Sequence, residues 1–214
     1  MNDKQREKIL KALTQQARRA FNRGAFVEFR KKQTPKVSKL EDECVYHDGY
    51  VSISLPSDLV KTHTVLDIRT KRDIDRGVER SKLDDTPPYP FEPDNGSLSN
   101  YKSYEYSVEE LLYILKDLKS CAWVRDDGGI TISEQKSDEW FKDYGFRLRN
   151  IEYGIDGCIG VDVNYLLTVL KVIDILGDKK VTLYVTLHNP FNSIELRSEN
   201  VKGSVVPKIL SFHW

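Results

Sequence analysis

Residues 151–210 read IEYGIDGCIGVDVNYLLTVLKVIDILGDKKVTLYVTLHNPFNSIELRSENVKGSVVPKIL, and this stretch decides the fold class. Asp162 offers a side-chain oxygen to cap a helix opening at Val163. Behind it Val163, Leu166, Leu167, Leu170, Ile173 and Leu176 recur at three- and four-residue steps, the spacing of one buried helical face. Gly177-Asp178 ends the helix, because glycine accepts the left-handed conformation at a carboxyl cap. On either side the period changes to two. FRLRNIEY (146–153) alternates before the helix, and Gly154, Gly157 and Gly160 break the segment between that strand and the helix. VTLYVTL (181–187), SIELRSE (193–199) and SVVPKIL (204–210) follow as three closing strands.

Working outward, the same frame recurs. YEYSVEELLYILKDLKS (104–120) predicts a helix over 107–119, with Ser107 and Glu110 as a capping box and Val108, Leu111, Leu112, Leu115 and Leu118 as its apolar stripe. CAWVR, Asp126-Asp127-Gly128-Gly129 and ITISE then read as a hairpin. Residues 4–55 form a looser third copy. A helix over 4–21 buries Ile9, Leu10, Leu13, Ala17, Ala20 and Phe21, and Asn22-Arg23-Gly24 stops it. AFVEFR (25–30) alternates like a strand, and ECVYH, Asp48-Gly49 and YVSISL form a hairpin whose turn residues tolerate positive φ. THTVLDI (62–68) adds one further strand. Repeated helix-plus-strands units with short hairpins predict an α+β fold of antiparallel sheets backed by helices.

Residues 69–103 differ. They hold four of the eight prolines, dense charge and few branched apolar residues, which reads as a linker or long mobile loop. The expected organisation is a first unit at 1–68, the loop at 69–103 and a two-unit domain at 104–214.

Lysine plus arginine and aspartate plus glutamate both total 33, so whole-chain charge is neutral. Its distribution is not: residues 1–39 carry a net +9 and residues 40–214 a net −9. Such asymmetry points the amino-terminal segment at a polyanion; a solvated basic helix is the plainer alternative. Cys44, Cys121 and Cys158 are widely spaced, without a Cys-x-x-Cys pair or a histidine cluster, so reduced cysteines are expected in place of a disulfide framework or zinc site. MNDKQREKIL is too polar for a signal peptide, and no apolar run approaches the roughly 20 residues of a membrane helix. A soluble, cytoplasmic protein is expected.

Residues 104–214 resemble one complete domain of the bacterial DNA polymerase III beta sliding clamp, with residues 151–210 carrying the nearest match. The shared features are the glycine-rich approach GIDGCIGVDV, the helix NYLLTVLKVI, the strand VTLYVTL, the segment PFNSIELRS and the terminal VVPKIL. The resemblance implies a DNA-clamp-like fold and a non-catalytic role. It implies duplex DNA and replication proteins bearing a short peptide motif as partners, a homo-oligomeric ring, and no cofactor. In that family the closing strand helps line a peptide pocket; the matching positions are Val205, Val206, Pro207 and Ile209. Helices lining a clamp's hole present cations to the DNA backbone, which here assigns Lys4, Lys8, Lys11, Arg18, Arg19 and Arg23. The chain departs from the pattern in two ways. It has length for two domains at most, and Leu55-Pro56-Ser57-Asp58-Leu59-Val60 lacks the glycine, histidine and arginine of the motif forming the pocket's other wall. A shortened clamp of this kind suggests phage or mobile-element replication, and a protein-interaction domain that no longer encircles DNA is the second reading.

Enzyme signatures are absent from the sequence: no Walker loop, Gly-x-Ser-x-Gly elbow, His-Glu-x-x-His helix or dinucleotide fingerprint occurs. Asp84-Asp85 and Asp126-Asp127 are acid pairs in turns, where solvation is the ordinary state. His47 and His63 flank a strand pair without an acid or thiol partner. Trp123, Trp140, Tyr144 and Phe146 suit a core or sheet face better than a base-stacking platform.

Overall fold

The computed structural model describes residues 1–22, 34–80, 82, 101–116, 121–125, 130–133, 158–185 and 193–206. The first unit contains α1 (Asp3–Asn22), β1 (Lys36–Lys39), β2 (Glu43–His47), β3 (Val51–Pro56), β4 (Thr64–Val65) and a short helix α2 (Lys71–Asp75). The second contains β5 (Lys102–Ser107), α3 (Val108–Lys116), β6 (Cys121–Arg125) and β7 (Ile130–Ser133). The third contains β8 (Cys158–Asp162), α4 (Val163–Leu176), β9 (Lys180–Val185), β10 (Ile194–Arg197) and β11 (Lys202–Val205).

The predicted α+β class is what the structure shows. An eight-stranded antiparallel sheet has the order β4-β1-β2-β3-β11-β10-β9-β5, and a three-stranded one the order β7-β6-β8. Local chemistry explains the main elements. Asp162 caps α4 by accepting a hydrogen bond from the Asn164 amide at 2.9 Å, and Gly177 closes it with φ of 94°. Gly49 supplies the positive φ, 89°, that the β2–β3 turn requires.

Two pairings organise the chain. At a central seam β3 meets β11, with Val51 opposite Val205, Ser52 opposite Ser204 and Ile53 opposite Gly203. The order β1-β2-β3 then β11-β10-β9 sets the third strand of the first unit against the last strand of the third. The second pairing is reciprocal. β5, which precedes α3, joins β9, which follows α4; β8, which precedes α4, joins β6, which follows α3. α4 packs against both α1 and α3. The three helices share one core with Tyr46, Ile53, Leu55, Leu183, Leu196 and Val205 from the sheet. At Gly203 helix and sheet approach so closely that an added Cβ would lie 2.4 Å from Val169 Cγ1.

Several expectations need correction. β5 and β8 are strands, where the sequence pattern suggested loop and helix at 102–107 and a glycine break at 158–162. Both are strands because a neighbour's edge pairs with them, a tertiary cause invisible in local pattern. The strand expected at 62–68 is only Thr64–Val65, and the closing strand ends at Val205. Residues 69–80 are not a free linker: α2 carries a capping box between Thr70 and Asp73, and arginines tie its flanks to the first unit. The strands expected at 25–30 and 146–153, and residues 83–100, lie outside the described residues.

Candidate nucleic-acid interface

α1 turns Ile9, Leu13, Gln16, Ala17 and Ala20 inward. At 100° per residue, Lys4, Lys8, Lys11, Gln15 and Arg19 fall on the opposite arc. Lys4, Lys8, Lys11 and Gln15 are exposed and Arg19 is half-buried. Glu7, exposed three residues from Lys4 and four from Lys11, shares this arc, and Asp3 is engaged by Arg6 at 2.7 Å. The result is a line of cations about 20 Å long on an outer helix face, from the 1.5 Å rise per residue.

The structure separates the other assigned cations from this line. Arg18 is half-buried and directs its guanidinium at main chain: Nε donates to the Ile68 carbonyl at 2.8 Å and Nη2 to the Arg69 carbonyl at 2.9 Å. It holds the segment after β4, a role the sequence did not suggest. Arg23 lies outside the described residues. α3 and α4 do not extend the line: α3 offers Lys116 against Glu109 and Glu110, and α4 offers Lys171 against Asp174.

Behind the outer face, α1 is fixed by a buried polar relay. Asp48, 3% exposed, receives four hydrogen bonds. Oδ1 accepts from the amides of Tyr50 and Val51, both at 2.8 Å. Oδ2 accepts from Gln16 Nε2 at 2.9 Å and Tyr46 Oη at 2.7 Å. Gln16 Oε1 in turn accepts from Thr168 Oγ1 on α4 at 3.3 Å. Burial raises the Asp48 carboxyl above its ordinary value against the opposing pull of these donors. Burial first, and the Asp48 charge second, raise the Tyr46 phenol. The relay's sequence signal was slight: one glutamine on an otherwise apolar helix face.

At the end of β11 the assigned pocket positions part company. Val205 is fully buried in the core, whereas Val206 is 39% exposed and donates its amide to the Tyr50 carbonyl at 2.9 Å. Tyr50 stacks on Tyr165 of α4 with ring centroids 5.3 Å apart. Pro207 and Ile209 lie outside the described residues. β9 is paired on both sides, by β10 and β5, and β7 is the outer strand of the small sheet.

Among the described residues, the histidines, cysteines and acids do not assemble into a reactive group. His63 Nδ1 accepts from the Lys39 amide at 3.0 Å, beside Cys44, while His47 stands at the far end of β2, about 10 Å along the strand. Cys44 is a buried free thiol. Cys121 lies opposite Asp162 and Cys158 opposite Arg125, at the two ends of the β6–β8 ladder. No three His, Cys, Asp or Glu side chains among the described residues are grouped to hold a metal. No helix among them is long and apolar enough to cross a membrane. The two acid pairs and Trp140, Tyr144 and Phe146 lie outside the described residues.

No protein-family model matches the chain, and no curated protein does. Its structure is similar to bacterial DNA polymerase III beta subunits. The Caulobacter crescentus protein matches at 14% identity over 92% of this chain, with a TM-score of 0.48. The Borrelia burgdorferi subunit, in complex with a natural product, matches at 13% over 93% with 0.46, and the Pseudomonas aeruginosa subunit at 14% over 92% with 0.46. The chain covers 65%, 62% and 65% of those three chains, respectively. At such identity no residue's role transfers to this chain. The family they name is the one that residues 151–210 resemble.

Proposed function

We propose that this chain is a non-catalytic, clamp-like module that holds duplex DNA by its phosphate backbone through the outer face of α1. One observation carries the reading: Lys4, Lys8, Lys11 and Arg19 lie along the helix face opposite the core, and the first three are exposed. Such a line neutralises phosphates without reaching base edges, so binding is indifferent to sequence and steep in salt. The two-unit domain at 104–214 and its seam with the first unit form the scaffold.

The test is a salt titration of binding to a random-sequence duplex. Each phosphate left without its cation lowers the log–log slope by about 0.9, so Lys4→Ala/Lys8→Ala/Lys11→Ala is expected to flatten it by about 2.7. An unchanged slope refutes the assignment.

A second reading, a protein-docking module, is favoured by Val206, which is exposed beside the Tyr50–Tyr165 stack. It takes the carboxyl-terminal positions Val205, Val206, Pro207 and Ile209 as the dock for a partner's short apolar peptide. The Helicobacter pylori beta clamp, to which this chain is similar at 14% identity and a TM-score of 0.35, is bound to a DNA ligase peptide. Val206→Asp is expected to abolish peptide capture while leaving the DNA salt slope unchanged.

A further inference from the structure

We infer that residues 67–80 form a second phosphate-binding surface, a strap held beside the carboxyl-terminal half of α1. This rests on the reading of α1 as the face that meets the duplex and enlarges it.

Three arginines build the strap and do so through main-chain carbonyls. Arg18 donates to Ile68 and Arg69 at 2.8 and 2.9 Å. Arg69 Nη1 donates to Val78 at 2.9 Å, which ties the strap's beginning to its end. Arg80 Nη2 donates to Val65 at 2.9 Å, which ties that end to β4. Asp67 grips Arg69 with both oxygens, at 2.9 and 2.7 Å, and is pulled down to about 2 by that pairing. Between these anchors α2 is stopped at each end, by the Thr70–Asp73 box and by Gly77 at φ of 73°. A segment rich in charge is thereby fixed in one conformation.

What the strap presents follows from what it has already engaged. Asp67 is committed to Arg69, and Asp73 to the Thr70 amide and hydroxyl at 2.7 and 2.6 Å. Lys71, Arg72, Arg76 and Arg80 are exposed, against Asp75 and Glu79. The side chains of Lys71, Arg72 and Arg76 make no ion pair among the described residues. Arg72 and Arg76 are four residues apart across the helical turn and its cap, hence neighbours on one side. Arg72 stands three residues beyond the carbonyl that Arg18 holds, within about 11 Å along the chain. The cations therefore begin where those of α1 end. Arginines at fixed spacing suit the phosphate backbone of a duplex, with the guanidinium fork matched to phosphate oxygens.

The experiment compares three full-length proteins on one random 30-base-pair duplex by fluorescence anisotropy between 50 and 200 mM salt. They are the wild type, Lys71→Ala/Arg72→Ala/Arg76→Ala, and Lys4→Ala/Lys8→Ala/Lys11→Ala. Removing the three strap cations is expected to flatten the log–log slope by about 2.7, so that the wild type loses roughly 40-fold more affinity than the strap variant across that range. Arg72→Glu alone should weaken binding at 50 mM salt with the circular dichroism spectrum unchanged. If the strap variant keeps the wild-type slope while the α1 variant flattens, the strap inference falls and the α1 reading stands. A wild type that does not bind the duplex overturns both.

Discussion

α1 and α4 pack side by side, each the long helix of a helix-plus-strands unit, yet they are opposite in design. α4 buries Val163, Tyr165, Leu166, Thr168, Val169, Leu170, Val172 and Ile173, with α1 on one flank and α3 on another. α1 buries five residues along one stripe and leaves lysines along the other side. One architectural unit thus serves once as core and once as surface. A helix enclosed on two flanks has little room for charge, which is why α4 contributes only Lys171 and Asp174. The helix at the margin of the helical layer is free to carry it.

This contrast gives graded predictions. The largest effect is expected within α4: Leu170→Ala removes a fully buried side chain and should cost about 2–5 kcal/mol in urea unfolding. Lys8→Ala on the outer face of α1 should stay within about 0.5 kcal/mol. If the two costs were alike, the division into core helix and surface helix would be mistaken.

Next is the close approach between α4 and β11. Gly203→Ala places a methyl 2.4 Å from Val169 Cγ1, and valine's stiff χ1 gives it little room to turn away. Destabilisation of about 1–3 kcal/mol is expected. Val169→Ala in the same chain should recover part of that loss, and a double-mutant cycle checks the coupling.

The relay between the helices comes third. Gln16→Ala removes one of the four donors to the buried Asp48 carboxylate, for an expected loss of about 1–3 kcal/mol, while Thr168 keeps its 2.7 Å bond to the Asn164 carbonyl. Asp48→Asn should cost a similar amount. Its oxygen still accepts from Tyr50 and Val51 and a flipped Gln16 amide accepts from the new nitrogen, but the buried Tyr46 hydroxyl loses its acceptor.

The same pair of variants sharpens the pH dependence. Because burial raises the folded Asp48 carboxyl above its ordinary 3.8, the folded chain holds that proton more tightly than the unfolded chain does. The associated stability is complete below pH 3.8 and declines as pH rises through the higher folded value. Urea midpoints from about pH 3.5 to 7 should show this decline in the wild type and not in Asp48→Asn. A parallel course in both chains would locate the titration elsewhere.

The sequence made some of this legible. α4 was readable because its signals are local: Asp162 at the amino cap, Gly177 at the carboxyl cap, and an apolar stripe between them. The Asp48-Gly49 turn was readable for the same reason. β5 and β8 were not. Lys102–Ser107 is mostly exposed, with Tyr104 and Tyr106 half-buried, and it becomes a strand only because β9 pairs along its length. The five residues of β8 include Gly160 and owe their conformation to β6. These two missed strands are the ones exchanged between units, so the repeat was visible in the helices while its interlocking was hidden. At the candidate interface, the resemblance to clamp helices placed Lys4, Lys8 and Lys11 together. It also placed Arg18 beside them, because a helical wheel cannot show that a guanidinium has found carbonyls some fifty residues away. The same blindness made residues 69–80 look like linker, since proline and charge content describe the free chain and not the three arginines that anchor it.

The most direct test of the central claim is lysine reactivity, which reads both helices in one sample. The full chain would be acetylated under limiting conditions at 50 mM salt, with and without a 30-base-pair duplex, and the modification at each lysine measured by mass spectrometry. Strong protection by DNA is expected at Lys4, Lys8 and Lys11, with Lys171 of α4 equally reactive in both samples. Unchanged labelling of the three α1 lysines in the presence of saturating duplex would contradict the assignment of that face to DNA.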